Sequence, residues 1–277
     1  MILETYSVLK ESNSEFSPGE RNFNPVYLKK FVIILPAYNE EKRITPVLNS
    51  ICRFIVENKL LWDVIVAIDG NDTTYHIART FAENYDFITV DRSNERSGKG
   101  GAIKRVIHKV HGDFTILMDA DNSIDFLDVV GAIPLLEKND VVILSRYTRN
   151  NSIPLLRRFL SRGFNIIVRS VTGLSVDDTQ SGYKIFRTEL FTTAMKKVTV
   201  TNASYDVPLL YYIKKMGGRI TETSAEYTHA DDGKLNPLSM AMSFFISLVA
   251  FRIKNSPLHS HVPGFLVKLY HRKFKWI

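Results

Sequence analysis

Five short apolar runs, each about one strand long and each followed by a helix-sized segment, constrain this 277-residue chain more than any other feature. They are Phe31 to Leu35, Val64 to Ile68, Phe87 to Val90, Phe114 to Met118 and Val141 to Leu144. Runs rich in β-branched residues with no polar alternation read as strands buried on both faces, and their spacing fits βαβ units. The expectation is an α/β domain with a mostly parallel, Rossmann-like, doubly wound sheet. Helices are expected at about Glu41 to Asn58, Thr73 to Asn84, Gly100 to Val110 and Phe126 to Lys138. After Arg149 the alternation gives way to a basic helix over Pro154 to Thr172, then a polar turn with a short strand over Asp177 to Arg187. Two further helices and a strand near Arg219 to Tyr227 follow.

Charge divides the chain. The formal net charge is +7, and Gly233 to Ile277 carries Lys234, Arg252, Lys254, Lys268, Arg272, Lys273 and Lys275 with no Asp or Glu. A basic tail interleaved with Phe, Leu, Val, Tyr and Trp suits an anionic lipid surface better than nucleic acid, although it could also pack its apolar face on the core. The apolar block Met240 to Phe251 is interrupted by Ser243 and Ser247 and falls short of the roughly 20 residues needed to span a bilayer, so an interfacial helix is expected. Residues 1–29 read as a flexible arm, 30–235 as the α/β domain and 236–277 as the basic amphipathic tail. Cys52 stands alone, and no signal-peptide pattern follows Met1. The expected location is peripheral, on the cytoplasmic face of a membrane.

Ligands of doubly wound sheets bind beyond the carboxyl ends of the strands, so the residues after each run form a chemical inventory. Pro36 is expected to stop the first strand and leave Tyr38 and Glu40 at the rim, a flat ring and an acceptor suited to a nucleobase. Asp69 and Gly70 open an acidic turn; Asp69 could hold a ribose or base edge, and Asp72 could equally cap the next helix. Arg96 to Gly101 places glycines and Lys99 at a helix start, where backbone N–H groups can approach a phosphate. The spacing is neither a Walker loop nor Gly-x-Gly-x-x-Gly after a strand, which disfavours nicotinamide-dependent hydride transfer.

Asp119, Ala120 and Asp121 are the sharpest feature. Two carboxylates at i and i+2 leave one face of a strand end, and a pair of hard oxygens there makes an open site for Mg2+ or Mn2+, completed by water and substrate phosphates. Alternatively, they are solvated loop acids. Arg146 ends the fifth run, and Arg157 and Ser161 share a helix face where a second anion could dock or solvent could lie. Gln180 sits in the polar turn Asp178 to Tyr183, and Lys234 is either an exposed lysine or a clamp on a diphosphate.

In order along the chain, Leu35 to Glu40, Asp69-Gly70, Ser97 to Gly101, Asp119-Ala-Asp121, Ser145-Arg-Tyr147 and Asp178 to Lys184 resemble family 2 glycosyltransferases of the GT-A fold, and among them the dolichyl-phosphate sugar synthases. The resemblance implies a nucleotide-sugar donor and a dolichyl or polyprenyl phosphate acceptor. Pro36, Tyr38, Glu40, Asp69 and Gly70 would cradle the nucleoside, with Lys99 and Lys234 near the diphosphate. Asp119 and Asp121 would hold the metal, Arg146, Arg157 and Ser161 would receive the acceptor phosphate, and Gln180 would join the catalytic group. The chain differs from the family pattern at Ile68, where a second acid is frequent, at Ser123, where Gln is frequent, and near Thr228 and His229, where an Arg is usual. Its Asp178 to Tyr183 segment is more similar to glucose and N-acetylglucosamine synthases than to mannose ones, which implies a UDP-sugar. The alternatives are GDP-mannose as donor, a glycan or protein as acceptor, and a membrane-bound nucleotide-sugar-binding scaffold without turnover.

Overall fold

Among the described residues, the apolar runs become the core strands of one seven-stranded sheet. A computed structural model describes residues 24–147, 168–169, 172–228, 248 and 251. The strands are β1 (Phe31–Ala37), β2 (Asp63–Asp69), β3 (Ile88–Ser93), β4 (Phe114–Leu117), β5 (Val141–Ser145), β6 (Lys184–Arg187) and β7 (Ile220–Ser224), in the spatial order β3-β2-β1-β4-β6-β5-β7. Every described pairing is parallel except those of β6, which runs antiparallel to both β4 and β5. The expected mostly parallel α/β sheet is therefore present, with one reversed strand in its middle.

Period-two alternation sends successive strand residues to opposite faces. Ile33, Leu35, Val66, Ile116 and Val142 pack on one face with α1 (Ile44–Glu57), α2 (Thr74–Asn84) and α4 (Phe126–Ala132). Val32, Ile34, Ile65, Leu117 and Phe186 pack on the other with α3 (Lys99–Val106), α5 (Thr188–Lys197) and α6 (Asp206–Lys215). Both faces are thus buried over β1, β2, β4 and β5, which explains why these strands lack polar alternation, whereas the edge strands β3 and β7 are partly exposed.

Three boundaries differ from expectation. The fourth helix is α-helical only to Ala132 and continues as a 3-10 turn over Ile133–Glu137, because Pro134 has no N–H for the carbonyl of Val130. The Tyr27 hydroxyl donates to that carbonyl instead, at 3.1 Å. The third helix likewise tightens to a 3-10 turn at Ile107–Lys109. Pro36 does not end β1: pairing with β2 continues to Ala37, while pairing with β4 stops at Ile34. Ile34 accepts from Met118 N on the β4 side, and Pro36, two residues on, turns its missing donor to the same side, where the ladder has already finished.

The described part of the expected arm is docked. Pro25–Leu28 forms a 3-10 turn, Tyr27 is buried, and the Trp62 indole N–H donates to its carbonyl at 3.2 Å. Of the expected tail, Leu248 and Phe251 are described; both are buried, and the Phe251 ring meets Tyr211 and Tyr212 of α6 edge-on. Among the described residues no helix is long and apolar enough to cross a membrane.

Candidate active site

The carboxyl ends of β1, β2 and β4 converge with the turn that precedes β6. At the end of β4, Met118 and Ala120 point into the core while Asp119 and Asp121 point out of it, as the i, i+2 spacing requires. Ala120 contributes no accessible side chain to the site. Asn122 then adopts a φ of +58°, which turns the chain sharply enough for Ser123 N to donate to Asp121 Oδ1 at 3.0 Å.

Asp119 is held on two sides. The Lys99 ammonium, at the first position of α3, lies 2.5 Å from Asp119 Oδ1. On the other side stands Gly182, where an added Cβ would fall 1.8 Å from Asp119 Oδ2. The next residue, Tyr183, reaches Asp121 Oδ1 with its hydroxyl at 3.1 Å. Burial, and then the charges of Asp121 and Asp119, push the Tyr183 hydroxyl well above the ordinary phenol range, so it stays a proton donor to Asp121. Burial works against the charge of Lys99, but Asp119, Asp206 and Asp121 outweigh it and hold the ammonium above the usual lysine value. Among the described residues no third Asp, Glu, His or Cys completes a metal-holding cluster.

The β1 and β2 ends supply the neighbouring wall. Tyr38 is exposed, with the Arg96 guanidinium 4.0 Å above its ring. Gly70 has a φ of +137°, and the backbone N–H of Asn71 faces the Asn39 side chain at 3.4 Å. Glu40 is clamped by Arg43 at 2.7 Å, and its backbone N–H donates to Thr74 Oγ1. Burial pushes its carboxyl up to about 7, Arg43 opposes this, and the nearby Asp121 adds to it. Asp69 is buried: Oδ2 accepts from Ser97 N and Ser97 Oγ, and Oδ1 from Arg105 at 2.9 Å.

Two local readings of the sequence change here. The glycines around Lys99 serve close packing, because a Cβ on Gly98 would meet the Thr201 carbonyl at 2.7 Å and one on Gly100 would meet Tyr205 Cβ at 2.8 Å. Gly101 N is already donated to Thr201 O, so this N–H is not free for a phosphate. Arg105, which the motif reading passes over, bridges Asp69 and Asp91 and so ties the β2 and β3 ends to the Ser97 turn. Two acids at adjacent strand ends with no cation assigned to them was the available signal.

Beyond β5, Arg146 and Asp178 form a two-pronged pair, Nε to Oδ2 at 2.9 Å and Nη2 to Oδ1 at 2.8 Å. Asp178 is buried, and Glu222 on β7 fixes its backbone N–H at 2.6 Å. Burial disfavours the Arg146 charge, and Asp178 more than restores it, raising the guanidinium above its ordinary value. Gln180 Nε2 and Thr179 Oγ1 in the same turn are buried atoms with no hydrogen-bond partner among the described residues. The structure thus brings together Tyr38, Glu40, Asp69, Lys99, Asp119, Asp121, Arg146 and Gln180 around the strand ends. Arg157, Ser161 and Lys234 lie outside the described residues.

Known proteins share the fold and about a quarter of the sequence or less. The chain is 28% identical to a dolichyl-phosphate beta-glucosyltransferase of Dictyostelium discoideum, over 90% of this chain and 82% of that protein. It is 25% identical to the human dolichyl-phosphate beta-glucosyltransferase, over 82% of this chain and 76% of that one. Its fold matches glucosyl-3-phosphoglycerate synthase of Mycobacterium tuberculosis in complex with UDP, at a TM-score of 0.65 and 19% identity over 86% of each chain. It also matches a mannosyltransferase of Pyrobaculum calidifontis in complex with GDP-Man and Mn2+, at a TM-score of 0.58 and 18% identity over 99% of this chain and 76% of that one. The model of glycosyl transferase family 2 covers residues 32–193, more than half of the chain and every strand end from β1 to β6, so the chain belongs to that family and is a glycosyltransferase.

Proposed function

We propose that the enzyme transfers glucose from UDP-glucose to dolichyl or polyprenyl phosphate at an anionic membrane surface, with inversion at the anomeric carbon and with the help of Mg2+ or Mn2+. The observation that carries this reading is the outward-facing pair Asp119 and Asp121, with the Lys99 ammonium on one acid and the Tyr183 hydroxyl on the other. The names of the similar dolichyl-phosphate glucosyltransferases supply the sugar and the acceptor.

The donor set fits a divalent cation: two hard carboxylate oxygens, one of them already neutralised by a lysine, with the remaining positions left to water and phosphate oxygens. When bound there, the metal supplies Lewis-acid neutralisation of the charge on the departing diphosphate. The chain's own residues do the rest. Lys99 adds a fixed positive charge beside the same diphosphate, and Tyr183 orients Asp121 without giving up its proton. Tyr38 offers a face for the base, and Glu40, Gly70 and Asp69 shape the nucleoside side of the cleft. Gln180 Nε2, buried and without a partner among the described residues, is the donor this reading assigns to the substrate. Arg146, aimed by Asp178, receives the acceptor phosphate, with Arg157, Ser161 and Lys234 as further anion contacts. A phosphate with a second pKa of about 6 is already anionic at neutral pH, so attack needs positioning rather than a strong base.

The basic residues 236–277 would hold the enzyme at the membrane where such an acceptor resides. The test is incubation of the full chain with labelled UDP-glucose, dolichyl phosphate and Mn2+, followed by organic extraction. Label in the organic phase is expected. Label that remains aqueous, or that moves only from GDP-mannose, rejects the glucosyl assignment.

A further inference from the structure

A buried lysine–aspartate pair lies just beyond the turn that holds the acid pair. Lys184 at the start of β6 and Asp206 at the start of α6 are 1% and 2% exposed, with Nζ and Oδ1 2.6 Å apart. The same ammonium also donates to the Ser181 carbonyl. Removing two charges from water is costly, and an apolar pair of similar volume commonly serves stability as well or better. The surroundings give this pair another use.

On its β6 side, Lys184 follows Gly182 and Tyr183, which press on Asp119 and hydrogen-bond Asp121. On its α6 side, Asp206 follows Tyr205, which sits against Gly100 so tightly that no Cβ fits between them. Gly100 is the neighbour of Lys99, and Lys99 returns to Asp119 at 2.5 Å. Contacts and the chain between them therefore form a closed ring from Asp119 through Gly182, Tyr183, Lys184, Asp206, Tyr205, Gly100 and Lys99 back to Asp119.

We propose that Lys184 and Asp206 are positioning residues: their buried bond fixes the pre-β6 turn against the α6 start, and so sets the separation between Lys99 and the Asp119–Asp121 pair that a metal-bound diphosphate requires. Neither touches the substrate. The proposal rests on the metal reading given above but not on the identity of the sugar or acceptor.

The experiment measures Mn2+-dependent binding of UDP and of GDP to the full chain by calorimetry, alongside the thermal midpoint. The apolar double variant Lys184→Met/Asp206→Leu is expected to keep its midpoint within a few degrees of wild type while losing at least tenfold in the metal-dependent part of nucleotide affinity, with metal-free binding unchanged. A well-folded double variant with wild-type metal-dependent affinity overturns the proposal. Should the double variant not fold, Asp206→Glu carries the test, since it keeps the charge and moves the carboxylate by one methylene; the same tenfold loss supports the proposal and wild-type affinity overturns it. A wild-type protein with no metal-dependent binding of either nucleotide removes the metal reading and this proposal together. A wild-type protein that binds UDP with Mn2+ but glucosylates no dolichyl phosphate removes only the proposed reaction.

Discussion

Gly182→Ala isolates the geometry of the acid pair with a single methyl group. The added Cβ would lie 1.8 Å from Asp119 Oδ2 and 2.4 Å from its Cγ, against an ordinary contact of about 3.5 Å. The oxygen must therefore retreat by roughly 1.7 Å, because β6 fixes the backbone on the other side of the contact. The Asp119 side chain is 31% exposed and can swing outward, so the stability cost belongs at the low end of overpacking, about 1 kcal/mol. Function has no such escape. A swing of this size breaks the 2.5 Å contact with Lys99, and a misplacement of about 1 Å in a reacting constellation is worth on the order of 100-fold in rate, or about 2.7 kcal/mol.

The assay is transfer of labelled sugar at saturating Mn2+, with urea denaturation run in parallel. Gly217→Ala is the control: it has a φ of +86° but nothing within 4 Å of the new methyl, so it should cost about 1 kcal/mol of stability and leave transfer unchanged. Gly182→Ala with transfer within about threefold of wild type would show that Asp119 is not held where the chemistry needs it.

Asp121→Ala should lower metal-dependent transfer by about 100- to 1,000-fold while costing about 1–3 kcal/mol of stability, since the buried Tyr183 hydroxyl loses its carboxylate acceptor; full activity would reject the metal assignment. Arg146→Ala strands the buried Asp178 and should cost about 3–5 kcal/mol, whereas Arg146→Ala/Asp178→Ala should recover much of that loss, and a double variant no more stable than the single one would refute the pairing. Glu40 has a folded pKa of about 7 against an ordinary 4.5, so its contribution is fully present below pH 4.5 and is lost as pH rises through 7. Measured in chelator, wild-type stability should fall by on the order of 3 kcal/mol more than that of Glu40→Gln between those two values, and parallel curves would show the carboxyl ionising freely.

The first half of the fold is legible because parallel strands covered on both faces must be apolar throughout, and Phe31, Ile33, Val64, Val66, Ile116 and Val142 obey this without exception. Asp119 and Asp121 are legible for the complementary reason, as charges that interrupt such a run. β6 is harder to read: its four residues include Lys184 and Arg187, and their burial or exposure is decided by partners far along the chain. Tyr183 is 62 residues from the acid it contacts, and Arg105 is 36 from Asp69. Local pattern marks Gly182 as a turn residue, and only the folded chain shows that it is the space Asp119 occupies.

The direction of β6 makes these parts one site. Leu117 of β4 and Ile143 of β5 both pair with Lys184, so the start of β6 lies beside the ends of its two neighbours. An antiparallel strand delivers the turn that precedes it to that same edge of the sheet, with Asp178 meeting Arg146 on one side and Tyr183 meeting Asp121 on the other. A parallel strand in the same place would start at the opposite edge, about 10 Å or more away over its four residues. The cation on β5 and the acid pair on β4 would then have no shared wall. One reversal among the described strands therefore brings Arg146 and the Asp119–Asp121 pair to the same edge of the sheet.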